Sequence, residues 1–338
     1  MKKILEVDDL HVSFSTYGGE VKAVRGVSFD LYQGETLAIV GESGCGKSVT
    51  ANSIMQLIPK PAGKIRNGRI VFKDQDITHY NERQMKEIRG VDISMIFQDP
   101  MTALNPTLTI GDQLTEGLIQ HEKISRSKAK EKAIDMLNLV GIPSPEERLK
   151  QYPHQFSGGM RQRIVIAIAL ICEPDLLIAD EPTTALDVTI QAQILELFNK
   201  IQQQTNVAII LITHDFGVVA KVADRIAVMY AGKIIETGFK KEIFYEAKHP
   251  YTKGLLHSIP RLDQKDEKLI PIDGTPPDLF SPPVGCPFTA RCPHAMVACE
   301  KVYPIRHENS ESHYVECWLY DERVQHMKIN IKPKEEYK

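Results

Sequence analysis

No apolar run in these 338 residues approaches the roughly 18 to 20 that a membrane-crossing helix needs, so the chain is not expected to span a bilayer. An excess of positive charge is missing too. Lysine plus arginine total 41 against 44 aspartate plus glutamate, a formal net charge of -3, so nucleic acid is not an expected partner. The start, Met1-Lys2-Lys3, is basic, but Glu6, Asp8 and Asp9 arrive before any long apolar stretch, so no secretory signal is expected. Cysteine is sparse at six residues. In a chain expected in the cytosol these read as thiols or ligands, not disulfides. The length allows two domains and a sizeable core.

What the chain does carry is Gly41-Glu42-Ser43-Gly44-Cys45-Gly46-Lys47-Ser48. It follows the branched apolar run 36–40 and precedes 49–58, from Val49 onward, where apolar residues recur at helical spacing. Strand, glycine loop and helix in that order turn G-x-x-x-x-G-K-[ST] into a phosphate cradle. Gly41, Gly44 and Gly46 let N–H groups face an anion, and the helix start adds partial positive charge. Lys47 would reach the β- and γ-phosphates and the Ser48 hydroxyl would sit on Mg²⁺. The plainer alternative is a glycine turn with an exposed lysine.

Around the loop, residues 4–40 read as β-structure, with short runs at 4–7, 12–14 and 27–31 turned by Gly18-Gly19 and Gln33-Gly34. Phe14 and Tyr17 could each stack on a purine or simply pack in the sheet. Asn67-Gly68 predicts a turn into a strand at 69–72, and 91–97 reads as a strand halted by Pro100 just after Gln98. A glutamine there can touch Mg²⁺ or orient an attacking water. Residues 101–156 lose the strand signal, with helices predicted at 110–119 and 126–140. The charged run 122–132 reads as a solvated helix face.

Ser157-Gly158-Gly159 opens a strong helix and offers a second anion site without a lysine of its own. The apolar strand at 176–179 ends in Asp180-Glu181. Asp180 suits Mg²⁺ coordination through water and Glu181 suits polarising the water that attacks a γ-phosphate, though such acids also begin helices. A helix at 188–204 follows Ala185-Leu186-Asp187. A strand at 207–213 then delivers His214, and Ala231-Gly232 turns a final hairpin.

These pieces in this order resemble the ATP-binding-cassette ATPases over residues 1 to about 240. The resemblance implies an α/β fold: a P-loop NTPase nucleotide-binding domain with a RecA-like core, an antiparallel β subdomain and a helical subdomain at about 101–160. A small Cys-rich C-terminal extension would occupy 241–338. It further implies ATP and Mg²⁺ as cofactors, with Lys47, Ser48, Gln98, Asp180 and Asp187 in the nucleotide and metal site. Glu181 becomes the catalytic base, Gln98 the γ-phosphate and water sensor, and His214 the γ-phosphate clamp. Ser157, Gly158 and Gly159 would bind the nucleotide held by a second ATPase subunit, so that ATP joins two subunits and hydrolysis parts them.

Phe156 and Met160 depart from the commonest Leu-Ser-Gly-Gly-Gln signature. The stretches His154 to Arg163, Gln98 to Pro106, Glu181 to Asp187 and His249 to Leu256 instead resemble the branch that powers oligopeptide and dipeptide importers. That branch implies two membrane permease chains, an external peptide-binding protein, a second related ATPase or a second copy, and a place at the cytoplasmic face of the membrane.

Beyond residue 241 the composition shifts, with a proline-rich linker at 271–283, and Cys286, Cys292, Cys299 and Cys317 follow. The C-x5-C-x6-C-x17-C spacing leaves a [4Fe–4S] cluster, Zn²⁺ or free thiols open. Relatives implied by the resemblance carry this tail with a cluster, here expected to be structural. His294, His307 and His313 could compete as ligands but read better as surface positions, and Cys45 and Cys172 read as unligated thiols. Two further readings remain: an importer ATPase for nickel or another small solute, and an ATPase acting on DNA or ribosomes. The second lacks the expected coiled-coil insertion or paired cassettes.

Overall fold

Thr36–Val40, Leu176–Asp180 and Ala208–Thr213 show no polar alternation, and each lies buried along its whole length, as strands covered on both faces must. The computed structural model describes residues 2–184, 186–258 and 271–326. In chain order its strands are β1 (Lys3–Thr16), β2 (Gly19–Tyr32), β3 (Thr36–Val40), β4 (Gly63–Phe72), β5 (Gln75–Asp76) and β6 (Ile93–Ile96). Then come β7 (Leu176–Asp180), β8 (Ala208–Thr213), β9 (Arg225–Tyr230), β10 (Lys233–Phe239), β11 (Arg306–Glu308) and β12 (Tyr314–Glu316).

They form two sheets. An antiparallel one runs β2-β1-β4-β5, and a larger one runs β11-β12-β10-β9-β3-β8-β7-β6. Strands β9, β3, β8, β7 and β6 are mutually parallel. Val12, Leu31 and Phe72 of the antiparallel sheet share one apolar cluster with Ile39, Ile178 and Ile210 of the parallel strands. On another side, Leu114, Ala133 and Ile166 from the helices Ile110–Gly117, Arg126–Leu139 and Gly158–Leu170 cluster with Leu177 and Leu211. Lys132 in the charged run pairs with Glu122 at 2.8 Å while Ala129 and Ala133 point inward, so that helix has the solvated face its sequence suggests.

Three local expectations change. The runs at 4–7 and 12–14 are one strand, β1, whose register slips between Val7 and Leu10 and again before Phe14; the bulge takes up Asp8 and Asp9. Asn67-Gly68 is not a turn but an irregularity inside β4, where Gly68 adopts φ 100°. His313 is not at the surface. It is 2 % exposed, with Nε2 2.9 Å from Glu236 Oε1, and Glu236 is fully buried in β10.

That pair marks where the tail meets the core. β12 hydrogen-bonds to β10 and carries β11, so the C-terminal region widens the central sheet instead of forming its own. Tyr251, Phe288 and Trp318 share a core with Val40 and Tyr230. Among the described residues no helix is long and apolar enough to cross a membrane.

Glu236 also accepts the N–H groups of Lys248 and His249, at 2.6 and 3.0 Å. Glu236→Ala removes the partner of three groups, two of them buried, and is expected to cost about 3 kcal/mol or more. The shift of the urea unfolding midpoint measures it, and an unchanged midpoint would refute the anchoring role.

Candidate nucleotide site

The phosphate loop leaves the carboxyl end of β3, the strand held between β8 and β9. Glycine is needed there for space. A Cβ on Gly41 would stand 2.1 Å from the Met229 carbonyl oxygen, and one on Gly46, which has φ 107°, 2.5 Å from that of Ala23. Lys47 opens the helix Lys47–Ile54 and folds back over the loop, donating to the Gly41 carbonyl at 2.8 Å and the Glu42 carbonyl at 3.0 Å. Its side chain is buried, so its charge acts in a medium far less screening than water.

Parallel pairing of β6, β7 and β8 brings their carboxyl ends side by side, and with them Gln98, Asp180, Glu181 and His214. Ser48 Oγ donates to Asp180 Oδ1 at 3.0 Å. A hydroxyl beside a buried carboxylate is the hard-oxygen donor set that Mg²⁺ takes. Glu181 is fixed from three directions: Gln98 Nε2 donates to Oε2 at 3.1 Å, Thr184 Oγ1 to Oε2 at 3.0 Å, and His214 Nδ1 lies 3.1 Å from Oε1. Its backbone has φ 47°, a left-handed conformation costly for a side chain with a Cβ and stabilised here by its N–H donating to the Ile212 carbonyl at 2.9 Å.

The two adjacent acids titrate in opposite directions. Burial pushes the Asp180 carboxyl up despite its bond from Ser48. Burial also acts upward on Glu181, but the bonds from His214 and Thr184 and the Lys47 charge outweigh it and hold the group below the usual glutamate range. Glu181 is therefore an anion at neutral pH, the form a general base requires.

Ser157 caps the helix Gly158–Leu170 by accepting the Met160 N–H at 3.4 Å. Gly158 faces open space, whereas a Cβ on Gly159 would come 2.8 Å from Ile190. A link that the sequence reading missed joins this helix to the acids: buried Gln162 donates through Nε2 to the Pro182 carbonyl at 2.6 Å. No motif marks it, because a glutamine in a helix is ordinarily a surface residue.

Asp187 caps the helix Val188–Thr205, its carboxylate accepting the N–H groups of Thr189 and Ile190. Phe14 is half-buried and packs on the apolar core near Gly63, while Tyr17 is fully exposed at the β1–β2 turn. Ala185 lies outside the described residues.

Cys286, Cys292, Cys299 and Cys317 line a single cavity with His249, His294 and Trp318, and all are free thiols. His294, partly exposed, lines this cavity as well. Burial pushes the Cys292 and Cys317 thiols up to about 12. Among the described residues no group of three or more His, Cys, Asp or Glu side chains is arranged to hold a metal ion. That supports neither the zinc nor the iron–sulfur alternative. Four thiols on one cavity remain the donor chemistry of an iron–sulfur group.

The "ABC transporter" family matches residues 24–184, and the "Oligopeptide/dipeptide transporter, C-terminal region" family matches 235–299. The dipeptide transport ATP-binding protein DppD of Bacillus subtilis is 69% identical over 96% of this chain and 97% of its own length. The oligopeptide transport ATP-binding protein OppD of the same organism is 58% identical over 94% and 89%. Among solved structures, the dimeric cassette MJ0796 in a post-hydrolysis state bound to ADP and Pi aligns with TM-score 0.62 and 25% identity, covering 70% of this chain and 98% of that one. CbiO1 from Clostridium perfringens aligns with TM-score 0.63 and 29% identity over 73% and 92%.

Gly46→Ala forces the loop away from Ala23 and is expected to weaken nucleotide binding by at least about tenfold, ~1.4 kcal/mol. Titration with a fluorescent ATP analogue measures it, and unchanged affinity would refute the tight fit.

Proposed function

The chain belongs to the ABC transporter ATP-binding family, in its dipeptide and oligopeptide branch, and from that premise we propose how its residues bind and hydrolyse ATP. It is an ATP-hydrolysing transporter subunit that powers peptide import. The observation that carries the residue assignment is the meeting of Lys47, Ser48–Asp180 and the Gln98–Glu181–His214 group at the ends of adjacent parallel strands.

In this reading the Gly41–Ser48 loop wraps the triphosphate and Lys47 trades its carbonyl partners for β- and γ-phosphate oxygens. Ser48, Asp180 and Gln98 would hold Mg²⁺, which when bound would neutralise phosphate charge. Glu181 takes a proton from the attacking water, Gln98 orients that water, and His214 donates to a γ-phosphate oxygen. Water adds to the γ-phosphorus as the bond to the β–γ bridging oxygen breaks, giving ADP and phosphate. Tyr17, exposed at its turn, and Phe14 are the candidates for contact with adenine.

The exposed Ser157-Gly158-Gly159 tip has no triphosphate of its own. We assign it to the nucleotide of a second ATPase subunit, either a related chain or another copy. The motor so formed would work beneath two permease subunits at the cytoplasmic face of the membrane, with an external peptide-binding protein supplying the solute. Identity to both dipeptide and oligopeptide relatives supports a peptide cargo over nickel. We further propose that Cys286, Cys292, Cys299 and Cys317 hold a [4Fe–4S] cluster, which when bound cross-links the extension. The shared cavity and its four thiols support this.

Glu181→Gln is expected to keep ATP binding and lower turnover of the assembled transporter by about 100-fold or more. Undiminished phosphate release would remove Glu181 from its role. For the cysteines, anaerobically purified chain should contain iron and sulfide in equal amounts, and Cys292→Ser should lose both. Zinc in their place, or neither element, would rule the cluster out.

A further inference from the structure

Glu42 is the one acid in the phosphate loop, and an unpaired carboxylate there would repel the triphosphate that the loop exists to hold. Its partner comes from 249 residues away. Arg291 Nη1 donates to Glu42 Oε2 at 2.8 Å and Nη2 to Oε1 at 3.0 Å, a two-pronged pair of matched planes. The guanidinium is itself rigidly held. Nε donates to the Asp273 carbonyl at 2.9 Å, Nη2 to the Ile272 carbonyl at 3.1 Å and Nη1 to the Tyr230 hydroxyl at 3.2 Å. All five of its N–H donors are thereby engaged, and its side chain is only 6% exposed.

The same loop residue is gripped twice more. The Glu42 N–H donates to the hydroxyl of Tyr251, a fully buried side chain of the helix Pro250–His257, at 2.9 Å. The Glu42 carbonyl accepts Lys47 Nζ at 3.0 Å, so the residue that Arg291 and Tyr251 hold is one that Lys47 leans on. Tyr230, Tyr251 and Phe288 pack ring to ring beneath these bonds, with centroids 4.5 to 5.4 Å apart. Arg291 and Tyr251 both fall in the stretch matching the C-terminal transporter region, outside the cassette match.

We propose that Arg291 is a positioning residue for ATP binding: from the C-terminal extension it clamps Glu42, neutralising the loop's carboxylate and fixing the backbone on which Lys47 and the inward N–H groups depend. The extension is thereby part of the nucleotide site. This rests on the ATP-site reading above, and it assigns the tail a role in nucleotide affinity beyond holding itself together.

The test is nucleotide affinity of the purified full-length chain, read with a fluorescent ATP analogue, together with KM and kcat of the assembled transporter. Arg291→Ala should weaken binding about tenfold and raise KM to match, with kcat at saturating ATP within about twofold, because a lost ground-state grip moves KM alone. Glu42→Gln, at a partly exposed loop position, gives an independent reading if Arg291→Ala fails to fold. It loses the grip but also the repelling charge, so it should weaken binding less than Arg291→Ala, and the double variant should lose no more than Arg291→Ala alone. Losses that simply add, or a fall in kcat and melting temperature with wild-type affinity, overturn the clamp. Lys47→Ala separates the two levels. Binding that survives it sinks the nucleotide-site reading and the clamp with it. Binding lost in Lys47→Ala but intact in both Arg291→Ala and Glu42→Gln sinks the clamp alone.

Discussion

A lysine ammonium kept almost out of water is the constraint that the nucleotide site is organised around. Removing Lys47 from solvent is costly unless its charge finds partners, and the loop supplies two of its own carbonyls at hydrogen-bond distance. The glycines follow from that arrangement. Only a chain without a Cβ at Gly41 and Gly46 can pass close enough to Met229 and Ala23 to bring those carbonyls and the helix start to one point. Nucleotide phosphates would offer the ammonium stronger partners than neutral carbonyls, so in the proposed site Lys47 exchanges partners and its own charge is already buried.

The same economy separates the two neighbouring acids. Asp180 ends a strand buried on both faces and meets a serine hydroxyl; its environment disfavours charge and suits a cation that would restore it. Glu181, one residue on, turns out of the strand in a left-handed conformation and meets an amide, a hydroxyl and an imidazole. Adjacent carboxyls thus acquire opposite tendencies from one backbone bend, which suits the proposed division of one dipeptide between metal and proton.

The parts of this site that were legible in the sequence are those carried by consecutive residues. Gly41 to Ser48, Asp180-Glu181, Gln98 and His214 each announce themselves by standing at the end of a short apolar run, and parallel pairing then brings the ends together. What stayed hidden depends on contacts between distant positions. Gln162 looks like any helical glutamine until Pro182 is beside it, and Arg291 like any surface arginine until the tail folds across Glu42. Local spacing also misjudged β-structure. Asn67-Gly68 has turn chemistry, yet the pairing of β4 along β1 runs on past it and absorbs it as a kink. His313 likewise reads as polar surface because nothing adjacent reveals Glu236.

The tail's position then bears on how the motor is divided. Because β12 extends the sheet that carries the phosphate loop, the extension and the loop share one hydrogen-bonded frame, and a displacement of either is resisted through β10 and β9. The Ser157 tip opens a helix that packs instead in the apolar cluster with β6, β7 and β8. In the proposed ATP sandwich, one half is stiffened by the tail, and the other is presented by helices packed on β6, β7 and β8. In the proposed motor, closing on ATP and opening after its hydrolysis would then be movements of the helices against a cradle braced by the tail.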